Sequence, residues 1–323
     1  MQLKTFFDFC SGIGGGRLGL EKCGLVPVGF SDTSGLSVTT YCTMFKEEKS
    51  NNFGNIKKIK GDDLPNFDVL IAGFPCQSFS VIGNGKGFDD VRGQLIFDIA
   101  RIINESRPKV FILENVRGLV SHNKGKTFET IIELLRKKNY FIHHNILNSI
   151  KYGVPQMRQR VFIIGFANEL CLTNHDFKWP IELEKPILED FLTDEDNLIS
   201  TENYDFLKRY LDNEINIGKY SLSDFLNEEY LVLDTRMSDL RLYRGKVPTL
   251  RSHRDGLFYI KEKTIRALTG CEALLLQGFP KEFVGKVRES VSNRHLLKQA
   301  GNAMTVNVIE ELGKSIIDYL NEI

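Results

Sequence analysis

The run Phe67-Asp68-Val69-Leu70-Ile71, with the loop it feeds, Ala72-Gly73-Phe74-Pro75-Cys76-Gln77-Ser78-Phe79-Ser80, constrains this chain more than any other stretch. A short and nearly continuous apolar run is covered on both faces, as a parallel strand inside an α/β sheet is. Similar runs stand at 5–9, 26–30, 109–113 and 160–165, with 143–147 as a strand adjacent to the last. Helical apolar spacing falls between them, at 18–23, 37–46, 95–104 and 127–138, and again at 264–276 and 306–320. In such sheets ligands and chemistry collect in the loops past the carboxyl ends of the strands.

Those loops hold unusual residues. The first strand runs into Cys10-Ser11-Gly12-Ile13-Gly14-Gly15-Gly16. A strand, a glycine turn and a helix N-terminus make a site for a nucleotide-like ligand, because glycines let the backbone approach and the helix end offers free N–H groups. The same turn could hold a dinucleotide or be only a tight turn. Asp32, ending the second strand, is placed as a ribose-hydroxyl acceptor; an exposed loop aspartate is the plainer reading. Cys76 alone would be read as a small core hydrophobe. Pro75 ahead of it and the polar Gln77, Ser78 and Ser80 behind it set it apart. Glu114, delivered by a buried strand, costs free energy to bury without a partner and is a functional candidate. In Gln156-Met157-Arg158-Gln159-Arg160 the side chains of Gln156, Arg158 and Arg160 alternate, so an extended backbone would put them on one face.

With 323 residues, one large domain plus a smaller one is expected. No run of about 18 apolar residues and no signal-peptide pattern is present, which points to an intracellular protein. The six cysteines are scattered without a CxxC pair, so neither a metal site nor a disulfide framework is expected. A formal net charge of +0 conceals a pattern: residues 171–240 carry about −11, and 241–323 about +5. Arg241, Arg244, Lys246, Arg251 and Arg254 form a basic stretch without an acid, enough to neutralise phosphates locally.

In their order along the chain, these motifs resemble those of the DNA cytosine C5-methyltransferases, particularly the bacterial enzymes of restriction–modification systems. The turn 8–15 resembles the family's first cofactor motif, and 73–80 its Pro-Cys-Gln loop. Glu114-Asn115-Val116 resembles its Glu-Asn-Val motif and Gln156-x-Arg158-x-Arg160 its Gln-x-Arg-x-Arg motif; Arg92-Gly93-Gln94-Leu95 and Gly301-Asn302-Ala303 also match. The resemblance implies a class I S-adenosylmethionine-dependent methyltransferase, a Rossmann-like doubly wound α/β sheet with a small inserted DNA-recognition domain. It implies a catalytic and cofactor-binding domain at 1–173, target recognition at 174–290 and a returning segment at 291–323.

The implied chemistry is methyl transfer to C5 of a cytosine flipped out of duplex DNA, by way of a covalent Cys76 adduct. Glu114 would hydrogen-bond the ring at N3, Arg158 would polarise the carbonyl and Arg160 would buttress it. S-adenosylmethionine would lie against Cys10, Ser11, Gly12, Ile13, Gly14, Gly15, Asp32, Thr33, Asn55, Ile56, Gly73, Pro75, Leu95, Asn302, Ala303 and Met304. Gln77, Ser80, Asn115, Val116, Gln156, Arg241, Arg244, Thr249 and Arg251 would meet the DNA. The partners implied are double-stranded DNA and a separately encoded restriction endonuclease, with no metal and no membrane. A monomer in the bacterial cytoplasm, at the nucleoid, is expected. The sequence departs from the family where adenosine should lie: Cys10 stands for the usual Phe, Asp32-Thr33 for Glu-Trp, and Asn55-Ile56 for Asp-Ile. A looser adenosine pocket follows. Two other readings are an RNA (tRNA) cytosine C5-methyltransferase and a catalytically weak DNA-binding relative.

Overall fold

The computed structural model describes residues 2–74, 95–170, 176–193, 201–252 and 256–322. Elements are numbered in chain order. The strands of the first half are Thr5–Phe9 (β1), Val26–Ser31 (β2), Val69–Gly73 (β3), Val110–Val116 (β4), Tyr140–Asn148 (β5), Gln156–Met157 (β6) and Gln159–Ala167 (β7). The helices between them are Gly15–Lys22 (α1), Gly35–Phe45 (α2), Leu95–Ser106 (α3), Gly118–Ser121 (α4) and Lys126–Arg136 (α5).

Six strands make one sheet in the order β2-β1-β3-β4-β7-β5. Its β2, β1, β3 and β4 are parallel, and β7 and β5 are antiparallel to their neighbours. The expected α/β doubly wound class is what forms. Chain order reverses on either side of β1, so a crevice opens at the carboxyl ends of β1 and β3, where such sheets bind their ligands. One face of the sheet presents Phe7, Phe9, Leu70, Ala72, Phe111, Leu113 and Ile163 to α3 and α5, all buried. On these strands each large apolar side chain removed from water contributes about 1.5–3 kcal/mol. On α1, glycine sets how close a neighbour can come: a Cβ on Gly19 would stand 2.5 Å from Ile309 of the final helix, Val306–Asn321 (α11).

The chain divides into two compact units: Met1–Asn148, Gln159–Glu182 and Met304–Ile323 form one, and Ser149–Arg158 and Leu183–Ala303 the other. The resemblance implied boundaries at 173 and 290; the second unit runs to Ala303 and includes a short stretch just before β7.

The second unit contains Thr201–Leu211 (α6), Leu222–Leu226 (α7), Val232–Asp234 (β8), Arg241–Tyr243 (β9), Val247–Pro248 (β10), Leu257–Lys261 (β11) and Thr264–Ala267 (β12). Gly270–Leu275 (α8), Lys281–Arg288 (α9) and Asn293–Asn302 (α10) follow. Its antiparallel sheet runs β12-β11-β8-β9 over a core that includes Leu207, Phe225, Leu233, Phe258 and Ile260. The single helix expected at 264–276 is instead a strand and a helix. Thr269 starts α8 with a capping box, its hydroxyl accepting from the Glu272 N–H while the Glu272 carboxylate accepts from the Thr269 N–H. That Thr-x-x-Glu spacing was readable in the sequence and marks the true start. Among the described residues no helix is long and apolar enough to cross a membrane.

Candidate active site

At the end of β1 the backbone turns through left-handed residues: Cys10 at φ 51°, Gly12 at 56° and Gly14 at 85°. Gly14 is the N-cap of α1. The Gly12 N–H donates to Asp32 Oδ2 at 2.8 Å and the Ser34 N–H to Asp32 Oδ1 at 2.7 Å, so the acid after β2 holds the turn. Asn52, which sequence reasoning missed, holds the acid in turn. Its Oδ1 accepts from the Asp32 N–H at 3.0 Å and its Nδ2 donates to the Asp32 carbonyl at 3.1 Å. The only signal for it was an Asn-Phe-Gly turn between two strands.

Several features of the turn suit an adenosyl ligand. A Cβ on Gly12 would meet nothing within 4 Å, whereas one on Gly14 would strike Phe45 at 2.3 Å and one on Gly15 the Met304 carbonyl at 2.3 Å. Gly12 thus borders open space, and its neighbours are glycines because the fold closes on them. The Ser11 hydroxyl is buried without a hydrogen-bond partner. Asp32 retains acceptor capacity beside these groups; burial raises its pKa, and the N–H groups of Ser34 and Gly12 oppose that shift.

The family departures take definite positions. Burial, with Asp32 and Asp8 near, pushes the Cys10 thiol up to about 12, so it is a neutral, apolar wall. Thr33 and Asn55 are exposed, and Asn55 accepts from the Lys57 N–H at 3.1 Å, capping a short 3-10 turn. Ile56 is buried. Of the three aromatic rings Tyr41, Phe45 and Phe53, Tyr41 is stacked on Phe30 at 4.1 Å and Phe45 presses on Gly14. Phe53 alone of the three is exposed, its ring edge-on to Phe7 at 5.2 Å.

Across the sheet, β4 delivers Glu114. Its carboxylate pairs with Arg160 Nε at 3.0 Å, both side chains largely buried. Residue 160 lies opposite Val116 on antiparallel β7, so Arg160 reaches Glu114 diagonally along one face. Glu114 Oε2 is 3.7 Å from where a Cβ on Gly73 would stand, at the end of β3. Asn115 is buried and donates from Nδ2 to the Phe74 carbonyl at 2.8 Å, and the Phe74 N–H donates to the Glu114 carbonyl at 3.3 Å. Asn115 therefore fixes the chain one residue before Pro75. Pro75, Cys76, Gln77 and Ser80 lie outside the described residues. Leu95 is half-buried at the start of α3.

The expected single face for Gln156, Arg158 and Arg160 does not form. The Arg158 N–H donates back to the Gln156 carbonyl at 3.0 Å, a tight turn that breaks the alternation. Gln156 then donates from Nε2 to the Leu276 carbonyl at 2.8 Å. Arg158 is 2% exposed, and its terminal nitrogens donate to the carbonyls of Leu250, Gly301 and Ala303 at 3.3, 3.1 and 2.9 Å. Its guanidinium is thus spent inside the second unit, and the arginine against Glu114 is Arg160.

The same unit holds Thr249, whose hydroxyl donates to the Met157 carbonyl at 2.6 Å. Arg236, also missed, clasps both Asp234 oxygens at 2.7 and 2.9 Å and donates to the Thr249 carbonyl at 2.8 Å. Arg241 and Arg251 are exposed; Arg244 is also exposed but holds Glu228 through two nitrogens. Asn302 ends α10 exposed, while Ala303 is buried in the second unit and Met304 in the first.

Comparison with known proteins adds an independent line. The profile of the C-5 cytosine-specific DNA methylases matches residues 4–318. Type II methyltransferase M.HhaI of Haemophilus parahaemolyticus is 32% identical over 332 residues, covering 98% of this chain and 95% of that one. Type II methyltransferase M.HaeII of Haemophilus aegyptius is 35% identical over 331 residues, 99% and 94% of the two chains. Among solved structures, the Entamoeba histolytica methyltransferase EhMeth superposes with a TM-score of 0.74 at 19% identity, over 98% of this chain and 99% of that one.

Proposed function

Because the chain belongs to the C-5 cytosine-specific DNA methylases, and so is a DNA cytosine C5-methyltransferase, we propose a mechanism in which Cys76, Glu114 and Arg160 share the work. The curated relatives are type II DNA methyltransferases, and the RNA reading is not retained. The observation that carries the proposal is the Glu114–Arg160 pair at 3.0 Å, at the strand ends beside the start of the Cys76 loop.

Cytosine C5 is a poor carbon nucleophile until the ring is made electron-rich. The Cys76 thiolate adds to C6, and Cys is the most nucleophilic side chain available near neutral pH. Charge then develops on the ring towards N3, where Glu114, acting as the carboxylic acid, donates a hydrogen bond to it. Arg160, already oriented on Glu114, takes the carbonyl-polarising role that the resemblance implied for Arg158. S-adenosylmethionine, when bound, supplies an electrophilic methyl group. Gly12, Ser11 and Asp32 would hold its ribose and methionine ends, and Phe53 would offer the adenine a flat wall in place of the missing Trp. Loss of the C5 proton and elimination of Cys76 then restore the ring. A stacked base cannot reach these groups, so the cytosine is flipped out of the duplex.

The second unit reads the target sequence, with Arg241 and Arg251 on phosphates and Thr249 supporting the flipped nucleotide. The protein works as a monomer in the bacterial cytoplasm, as one half of a restriction–modification pair. Bisulfite sequencing of DNA from a host expressing the chain tests the activity and returns the site: protected cytosines in one short sequence are expected, and uniform conversion contradicts the proposal.

A further inference from the structure

Beneath the cofactor turn lies a carboxyl group that no step above uses. Asp8 stands on β1 between Phe7 and Phe9, so its side chain takes the opposite face of the sheet from theirs, and it is fully buried. Neither of its oxygens completes a hydrogen bond. Oδ1 lies 3.5 Å from where a Cβ on Gly16 would stand, so the carboxyl is aimed at the first turn of α1, whose N-cap Gly14 has no side chain to cap it. The groups facing it are Arg17 and Glu21 on α1, Asp32 after β2, Tyr41 on α2 and Cys10 at the end of β1, while β3 presents Ile71 to the same space. Arg17 does not neutralise it by contact. Its guanidinium is committed to Glu21 at 2.9 Å and Glu47 at 2.7 Å, and only its backbone N–H is directed at Asp8.

We propose that Asp8 is a proton-coupled positioning residue of the cofactor turn: it is neutral in the free protein and releases its proton when a positively charged adenosyl sulfonium lies against the turn at Gly12. This rests on the cofactor reading given above. Burial is the main cause of the neutral state; the nearby Arg17 charge opposes it and repulsion by Asp32 adds to it, and the carboxyl is left raised to about 8. Two things favour ionisation once the ligand is bound. A cation on the turn interacts with the new charge through a low-dielectric medium. The ionised carboxylate also complements the positive end of α1. The balance is simple: the Asp8 carboxylic acid becomes a carboxylate, the proton passes to the buffer, and no bond to the ligand forms. S-adenosylhomocysteine, with a neutral thioether, drives the change less. Asp8 therefore makes the turn prefer the charged methyl donor over its uncharged product, and more so as pH rises.

Titration calorimetry of the full chain in buffers of different ionisation heat counts the protons. At neutral pH, S-adenosylmethionine is expected to release a large fraction of one proton, S-adenosylhomocysteine less, and Asp8→Asn to abolish the release with S-adenosylmethionine. In the wild type, the ratio of the two affinities should move towards S-adenosylmethionine by up to about tenfold per pH unit below about 8 and then level off. A ratio flat with pH, or an Asp8→Asn variant that releases as many protons as the wild type, overturns the proposal. Failure of either nucleoside to bind overturns the cofactor assignment itself and this inference with it.

Discussion

Arg158 and Arg160 are two residues apart, yet the fold gives them different work. Arg158 fills a buried site with carbonyl acceptors, so Arg158→Ala leaves those carbonyls without their donor and opens a cavity. A loss of about 3–5 kcal/mol is expected in a denaturation experiment, with activity falling only as the folded fraction falls. Arg160→Ala leaves the largely buried Glu114 without its partner, so a stability loss of about 3–5 kcal/mol is expected here too, but kcat of the folded fraction should fall by about 10²–10³, since a donor needed as charge develops is removed. If Arg158→Ala proves stable but inactive, the assignment of the two is reversed. Asp8 gives a second test at this scale. Its folded carboxyl keeps a proton that the unfolded chain loses at ordinary carboxylate pH. Its contribution to stability therefore falls as pH rises from about 4 and is constant above about 8. Asp8→Asn should flatten the pH dependence of unfolding by up to about 1.4 kcal/mol per unit in that window. Glu114, Asp32 and the arginines were legible as candidate site residues from position and motif. Their partition was not, because one tight turn at Arg158 redirects a side chain without leaving a mark in composition.

The strands were the most legible elements, since a continuous apolar run has few alternatives when bounded by turns. The misread segment was 264–276, where Ile265, Ala267, Leu268 and the α8 leucines satisfy helical spacing although the backbone alternates through β12 first. Thr269→Ala should cost about 1 kcal/mol by removing the cap of α8, a change readable in thermal unfolding. The loop from Asn52 to Phe53 leaves no mark in the sequence pattern because its value lies in long-range contacts to Asp32 and Phe7. If Phe53 walls the adenine, Phe53→Ala should weaken S-adenosylmethionine binding by about 0.5–1.5 kcal/mol, a few-fold to about tenfold in Kd. Unchanged affinity would leave the adenosine pocket without an aromatic wall.

At the scale of the whole molecule, the charge pattern says more than the net charge. Exposed Arg241 and Arg251 are free to meet phosphates, so neutralising either should weaken binding to every DNA sequence alike and shallow the salt slope by about one. Arg244 should matter less, since Glu228 already holds it. The two-part organisation was foreshadowed by the acidic break after residue 170. That Ser149–Arg158 clusters with the second unit was not, because it depends on hydrogen bonds such as Gln156 to Leu276 across 120 residues. The central claim, that this chain methylates C5 through a covalent bond to Cys76 assisted by Glu114 and Arg160, is tested most directly with a duplex carrying 5-fluorocytosine at the site found by bisulfite sequencing. Fluorine cannot leave as the proton does, so the wild type with S-adenosylmethionine should form a stable protein–DNA adduct on a denaturing gel. Cys76→Ala should form none while still binding DNA, and Arg160→Ala should form it far more slowly. An adduct that persists in Cys76→Ala would contradict the account.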